Sequence, residues 1–98
     1  MSYIVLDLEW NQGYPHSVED KLDEIIQIGA VKLDDDFCPA EEFQSDVRPI
    51  YFRSMHYKVK KLTGIDKERL SHGDTFPTVF EHFREWCGED PEFVTWGY

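Results

Sequence analysis

The residues best suited to do chemistry are Asp7 and Glu9, near the start of a 98-residue chain. They close the stretch Tyr3-Ile4-Val5-Leu6-Asp7-Leu8-Glu9-Trp10, a short apolar run rich in strand formers. Side chains two apart on a strand share a face, so both carboxylates project side by side. Tyr3 and Val5 share that face, while Leu6, Leu8 and Trp10 line the other. A strand apolar on both faces belongs in the middle of a sheet, which places the two acids near a core. Like charges repel there, and partial burial raises the cost. A divalent cation removes the repulsion, and carboxylate oxygen is the ligand that Mg²⁺ and Mn²⁺ prefer. A solvated strand end is the plain alternative, because D-x-E is a short pattern.

A second candidate is the segment from Val47 to Ile65, which contains no acidic residue. It holds Arg48, Arg53, Lys58, Lys60 and Lys61, interleaved with Tyr51, Phe52, His56 and Tyr57. Cations neutralise phosphates and rings stack on unpaired bases, although an ordinary loop with its aromatics in the core reads the same way. Lys61-Leu62-Thr63-Gly64-Ile65 is the third candidate. Gly64 permits a backbone turn and Thr63 offers a hydroxyl, but a helix stop is the commoner meaning of such a glycine. The four histidines show no metal-ligand spacing.

The elements that must position these residues are short. Asn11 to Asp23 is polar, with Gly13 and Pro15, and reads as a loop. Glu24 to Leu33 is a second strand, Asp34 to Asp36 a polar turn, and Glu42 to Val47 a third strand leading to Pro49. Strands this close in sequence pair antiparallel. Lys58 to Leu62 reads as one or two helical turns stopped by Gly64, and Asp66 as the N-cap of a helix over Lys67–Ser71. The clearest helix runs from Pro77 to Cys87, with Phe76, Val79, Phe80, Phe83, Trp86 and Cys87 along one stripe and Gly88 at its exit. Phe93 to Trp96 is a fourth strand. It follows a helix, as the second half of a crossover does, and is expected to run parallel to an earlier strand.

Composition bounds the function. Twenty acidic residues against ten basic ones give a formal charge of -10, so a basic nucleic-acid coat protein is excluded. An enzyme that holds metal with carboxylates and keeps its cations local is not. The hydrophobic share of 41% supports a packed core and rules out wholesale disorder. Cys38 and Cys87 form no C-x-x-C, which argues against a disulfide scaffold or a structural zinc site, and a reduced cytoplasmic protein is expected. No apolar run approaches the ~20 residues of a membrane span, and the N-terminus has no signal-peptide pattern, so no membrane partner is expected.

Taken together, the pieces resemble the DEDD superfamily of 3′–5′ exonucleases, in the group whose last motif supplies a histidine. Val5-Leu6-Asp7-Leu8-Glu9 matches the family's D-x-E strand, and Glu24-Ile25-Ile26-Gln27-Ile28-Gly29-Ala30-Val31 matches its second strand. Val47-Arg48-Pro49 matches V-x-P, Leu62 to Ile65 matches L-T-G-I, and the helix and strand ending Thr95-Trp96-Gly97-Tyr98 follow in order. The Asp-Leu-Glu-Trp-Asn start looks most like the branch of sporulation-pathway inhibitors and histone-mRNA exonucleases.

The resemblance implies an α/β, ribonuclease H-like fold, of which residues 1–98 form the N-terminal part: three antiparallel strands, a helix and a fourth strand. It implies 3′–5′ hydrolysis of RNA or single-stranded DNA ends with two divalent cations, Mg²⁺ or Mn²⁺. Asp7 would bridge both ions, and Glu9 would bind the ion that carries the attacking water. Leu62, Thr63 and Gly64 would touch the terminal nucleotide, with Trp10 at the edge of that pocket. The family's other carboxylates and its histidine would lie beyond Tyr98, so the chain is expected to be a truncated half-domain, inactive alone. It is expected to self-associate through an uncovered sheet face or the Phe93–Trp96 edge. The rival reading is a non-catalytic fragment that binds nucleic acid or a partner chain.

Overall fold

Strands β1 (Ser2–Asn11), β2 (Glu24–Leu33) and β3 (Pro39–Arg48) form the expected antiparallel meander. The computed structural model describes residues 2–11, 24–50 and 57–95, without the side chains of residues 57 and 58. The loop expected over 12–23 lies outside these. The turn between β2 and β3 runs past Asp36. One Asp34 carboxylate oxygen accepts from the backbone N–H of Asp36 at 2.8 Å and of Cys38 at 2.9 Å. Phe37 adopts φ 62° there, and its ring lies 5.1 Å from that of Tyr3. The third strand accordingly starts at Pro39, three residues before the expected Glu42.

Three helices follow: α1 (Tyr57–Thr63), α2 (Lys67–Ser71) and α3 (Phe76–Cys87). Each ends on a local signal. Gly64, at φ 72°, stops α1 and donates its N–H to the Lys60 carbonyl at 2.9 Å. A carboxylate oxygen of Asp66 accepts from the Arg69 N–H at 2.8 Å, the N-cap bond that starts α2. Gly88, at φ 75°, closes α3. The two-residue strand β4 (Asp74–Thr75) was not expected; it is too short and polar to leave an apolar run. It pairs parallel with β3, directly before α3 begins.

Strand β5 (Pro91–Thr95) pairs parallel with β1, Val5 opposite Val94. The sheet order is β4-β3-β2-β1-β5, which puts β1 in the interior and β5 at an edge. Trp96 lies outside the described residues.

One side of the sheet is the core. Ile4, Ile28, Ala30 and Val47 pack against Val79, Phe83 and Cys87 of α3. Ile26 joins Val59, Ile65 and Leu70, which seats α1 and α2. Each large aliphatic buried this way contributes roughly 1.5–3 kcal/mol. Lys32 is a charged residue on this apolar side for a reason: its Nζ donates to the Trp86 carbonyl at 2.6 Å and lies 4.6 Å from the Trp86 ring. A cation at the last turn of α3 satisfies a terminal carbonyl and complements the helix dipole.

The other side corrects one expectation. The strand is interior, yet Asp7 is exposed, because among the described residues no helix packs on the face that carries Tyr3, Val5, Asp7 and Glu9. Val79, Phe83, Trp86 and Cys87 of the α3 stripe are spent on the opposite face, while Phe76 and Phe80, stacked on each other, stay exposed.

Candidate active site

Asp7 and Glu9 stand on this open face, two apart on an unbroken stretch of β1, as their spacing predicts. Their cross-strand neighbours differ. Asp7 faces Gly29, which in turn faces Gln44. A Cβ added at Gly29 would lie 3.6 Å from the Asp7 carbonyl oxygen, an ordinary contact. Crowding therefore does not demand glycine there. Its effect is space: a depression of about 290 Å³ lined by Val5, Asp7, Gly29, Val31 and Gln44, among others.

Glu9 faces Gln27, and Gln27 faces Asp46. The Gln27 amide nitrogen donates to Asp46 Oδ1 at 3.2 Å. Arg69 of α2 grips the same carboxylate with two bonds, Nε to Oδ2 at 2.7 Å and Nη2 to Oδ1 at 3.0 Å. Hydrogen bonding to Asp46 holds the Arg69 guanidinium above its ordinary pKa. A row of polar side chains thus crosses three strands and ends beside Glu9.

A bulge follows. The pairing shifts after Glu9, so that Trp10 faces Ile25 and Ile26 is the extra residue on β2. Beyond the last β1–β5 pair, Leu6 opposite Thr95, a recess of about 260 Å³ is lined by Leu6, Asp7, Leu8, Trp10 and Thr95. Trp10, 45% exposed, therefore borders the same space as Asp7 although it alternates to the opposite face.

The L-T-G segment ends α1, whose Val59 packs on Ile26 at the same end of the sheet as Glu9 and Trp10. Leu62 stands 85% exposed, next to the exposed Lys60 and Lys61. The Thr63 hydroxyl is engaged within the helix end: it donates to the Val59 carbonyl at 2.8 Å and accepts from the Ile65 N–H at 3.1 Å. Gly64 is a helix stop, the commoner meaning of such a glycine. Residues 51–56 of the basic aromatic segment lie outside the described residues, as do the side chains of Tyr57 and Lys58.

Among the described residues no three His, Cys, Asp or Glu side chains are grouped for a metal ion. Asp7 and Glu9 fit a divalent cation as a two-carboxylate, oxygen-only donor set with open space beside it, which leaves the remaining positions to water. Sequence reasoning missed Gln27, Asp46 and Arg69. Alternation with Ile26 and Ile28 did mark Gln27 as polar on an interior strand. Its partners are 19 residues away and, for the Asp46–Arg69 pair, another 23.

Residues 4–96 match the model of the exonuclease family designated RNase_T. The nuclease domain of 3'hExo, a DEDDh family member solved with rAMP, superposes with a TM-score of 0.82 at 23% identity, over 98% of this chain and 52% of that one. Cell-death related nuclease 4 superposes at 0.76 with 28% identity, over 96% of this chain and 34% of that one. E. coli Exonuclease I, solved with an oligonucleotide, gives 0.76 at 15% identity, over 98% of this chain and 20% of that one. The chain spans about half the length of the first of these and a third of the second. The fold is the ribonuclease H-like α/β fold of these nucleases. No curated protein sequence gives a significant match.

Proposed function

The chain belongs to the exonuclease family, and we propose that it serves removal of nucleotides from the 3′ ends of RNA or single-stranded DNA. The observation that carries this reading is the pair Asp7 and Glu9, side by side on the open face with the Gly29 depression next to them. They would hold the divalent cations, Mg²⁺ or Mn²⁺. When bound, such ions polarise a scissile phosphate and lower the pKa of an attacking water.

The chain's own residues supply the rest of the proposal. Leu62 holds an apolar side chain in solvent at the end of α1, suited to cover a terminal base. Lys60 and Lys61 bring positive charge to the same turn, in a chain that is otherwise acidic. Thr63 and Gly64 would contact the nucleotide through backbone, because the Thr63 hydroxyl is already bonded on both sides. Trp10 would border the pocket. Both nucleic acids enter the proposal because 3'hExo was solved with rAMP and Exonuclease I with an oligonucleotide. Free thiols at Cys38 and Cys87 suit the reducing cytoplasm, the compartment we assign.

The test has two parts. Mg²⁺ titration followed by backbone amide shifts should give weak, millimolar-range binding centred on Asp7 and Glu9, lost in Asp7→Asn and reduced in Glu9→Gln. Binding indifferent to both substitutions removes the metal-site reading. Within a whole family domain, a 5′-labelled single-stranded oligonucleotide should then shorten from its 3′ end, in a reaction stopped by EDTA and by Asp7→Asn, whereas the 98-residue chain alone should leave it intact. A whole domain that binds Mg²⁺ at Asp7 and still leaves the oligonucleotide intact supports the non-catalytic binding role instead.

A further inference from the structure

We infer that Gln27 is a positioning residue for the cation site: its amide oxygen accepts a hydrogen bond from water in the shell of a divalent ion held by Asp7 and Glu9. The inference rests on the metal-site reading above and adds a residue that the two-carboxylate pattern does not contain.

The amide has one orientation available. Both Asp46 oxygens accept from Arg69, so the carboxyl group acts as an acceptor and takes a donor from Gln27. The amide nitrogen occupies that place at 3.2 Å. This removes the ambiguity between amide oxygen and nitrogen that an isolated glutamine carries. The Oε1 atom is left as the free acceptor of the group, and among the described residues no donor reaches it.

Its neighbour on the β1 side is Glu9, directly opposite in the register. Side chains paired in this way have Cβ atoms about 5 Å apart, within mutual reach for Glu and Gln. Two acceptors cannot bond each other. They can share a donor, and a cation-bound water supplies one. The anchoring side of the row is well fixed: the guanidinium fork orients Asp46, and Asp46 orients Gln27. Partners of this kind set the orientation of metal-bound groups, and losing one commonly costs ~10-fold or more in metal affinity. Thr78, exposed on α3 on the opposite side of the sheet, is the natural control.

The experiment is Mg²⁺ titration of the whole 98-residue chain, observed through backbone amides and the Gln27 side-chain NH₂ signals. The Gln27 NH₂ signals should move with the same Mg²⁺ dependence as the Asp7 and Glu9 amides. Gln27→Leu should raise the dissociation constant ~10-fold or more at unchanged melting temperature. Gln27→Thr, which keeps a polar strand former but lacks the reach, should do the same if the leucine variant misfolds. Thr78→Leu should bind as wild type does. Static Gln27 signals, with wild-type affinity in the Gln27 variants, overturn the inference while leaving the site intact, provided Asp7→Asn still abolishes binding. Binding that survives Asp7→Asn overturns the site itself, and the inference with it.

Discussion

Ile4 and Val5 are neighbours on β1, yet Ile4 is fully buried beneath α3 while Val5 borders a depression on a face that no described helix covers. The contrast repeats along the sheet. Ile26, Ile28 and Ala30 are buried, and Gln27 and Gly29 between them line the open side. Leu8 packs against the core, and the acids on either side of it turn away. One face is selected for volume and complementarity. On the other, the residues at the Asp7 and Glu9 level are selected for charge, space and tethering. Strand alternation therefore separates a packed face from the open face that carries the proposed site, within a single layer.

The largest expected effect falls on the core face. Ile4→Ala removes a fully buried side chain from the middle of the sheet, and should cost ~2–5 kcal/mol, a large share of the stability of a domain this size. Denaturant unfolding measures it. A loss under 1 kcal/mol would mean the α3 layer is loosely packed, and the contrast between faces would fail.

Val5→Ala sharpens the comparison from the other side. Val5 is only partly buried, so its truncation should cost about 1 kcal/mol or less. Equality with Ile4→Ala would show that a second layer covers the open face in solution. A second copy of this chain would be the simplest such layer, the self-association proposed from the sequence, and light scattering on the same samples would identify it.

How far these features were legible in the sequence depends on the range of the interaction behind each. The Asp66 cap, the Gly64 and Gly88 stops and the α3 stripe all rest on contacts within a turn or two, and each stands within a residue of its expected place. The common face of Asp7 and Glu9 follows from the pleat alone. Alternation also separates the two faces of β1. It does not say which face a helix will cover, since that depends on how α3 docks, and so Asp7 was expected nearer a core than it is. The Gln27–Asp46–Arg69 row is less legible still. It joins two strands and a helix through side chains whose pairing depends on the β2–β3 register, and Phe37 at positive φ extended the turn that sets that register.

The smallest expected effect concerns the deepest thiol of the core face. Cys87 is 4% exposed and packs in the same cluster as Ile4 and Phe83. Burial pushes its pKa above the ordinary 9.0, and the nearby Lys32 charge opposes the shift only in part. The folded state therefore keeps its proton where the unfolded chain has begun to lose it. With the folded value the higher of the two, the contribution to stability is complete below about pH 9 and fades as pH rises through the folded pKa. Urea midpoints between pH 7.5 and 10 should show an alkaline decline that is shallower in Cys87→Ala. Absolute stabilities are not the comparison, because the alanine also loses packing; the difference in pH slope isolates the thiol from Lys32, which both proteins retain. Cys38 is exposed at the β2–β3 turn, so Cys38→Ala should leave the decline unchanged. An alkaline limb that follows Cys38 and not Cys87 would show that the core face admits water at the end of α3, which is the most sensitive point at which the division between the two faces can be broken.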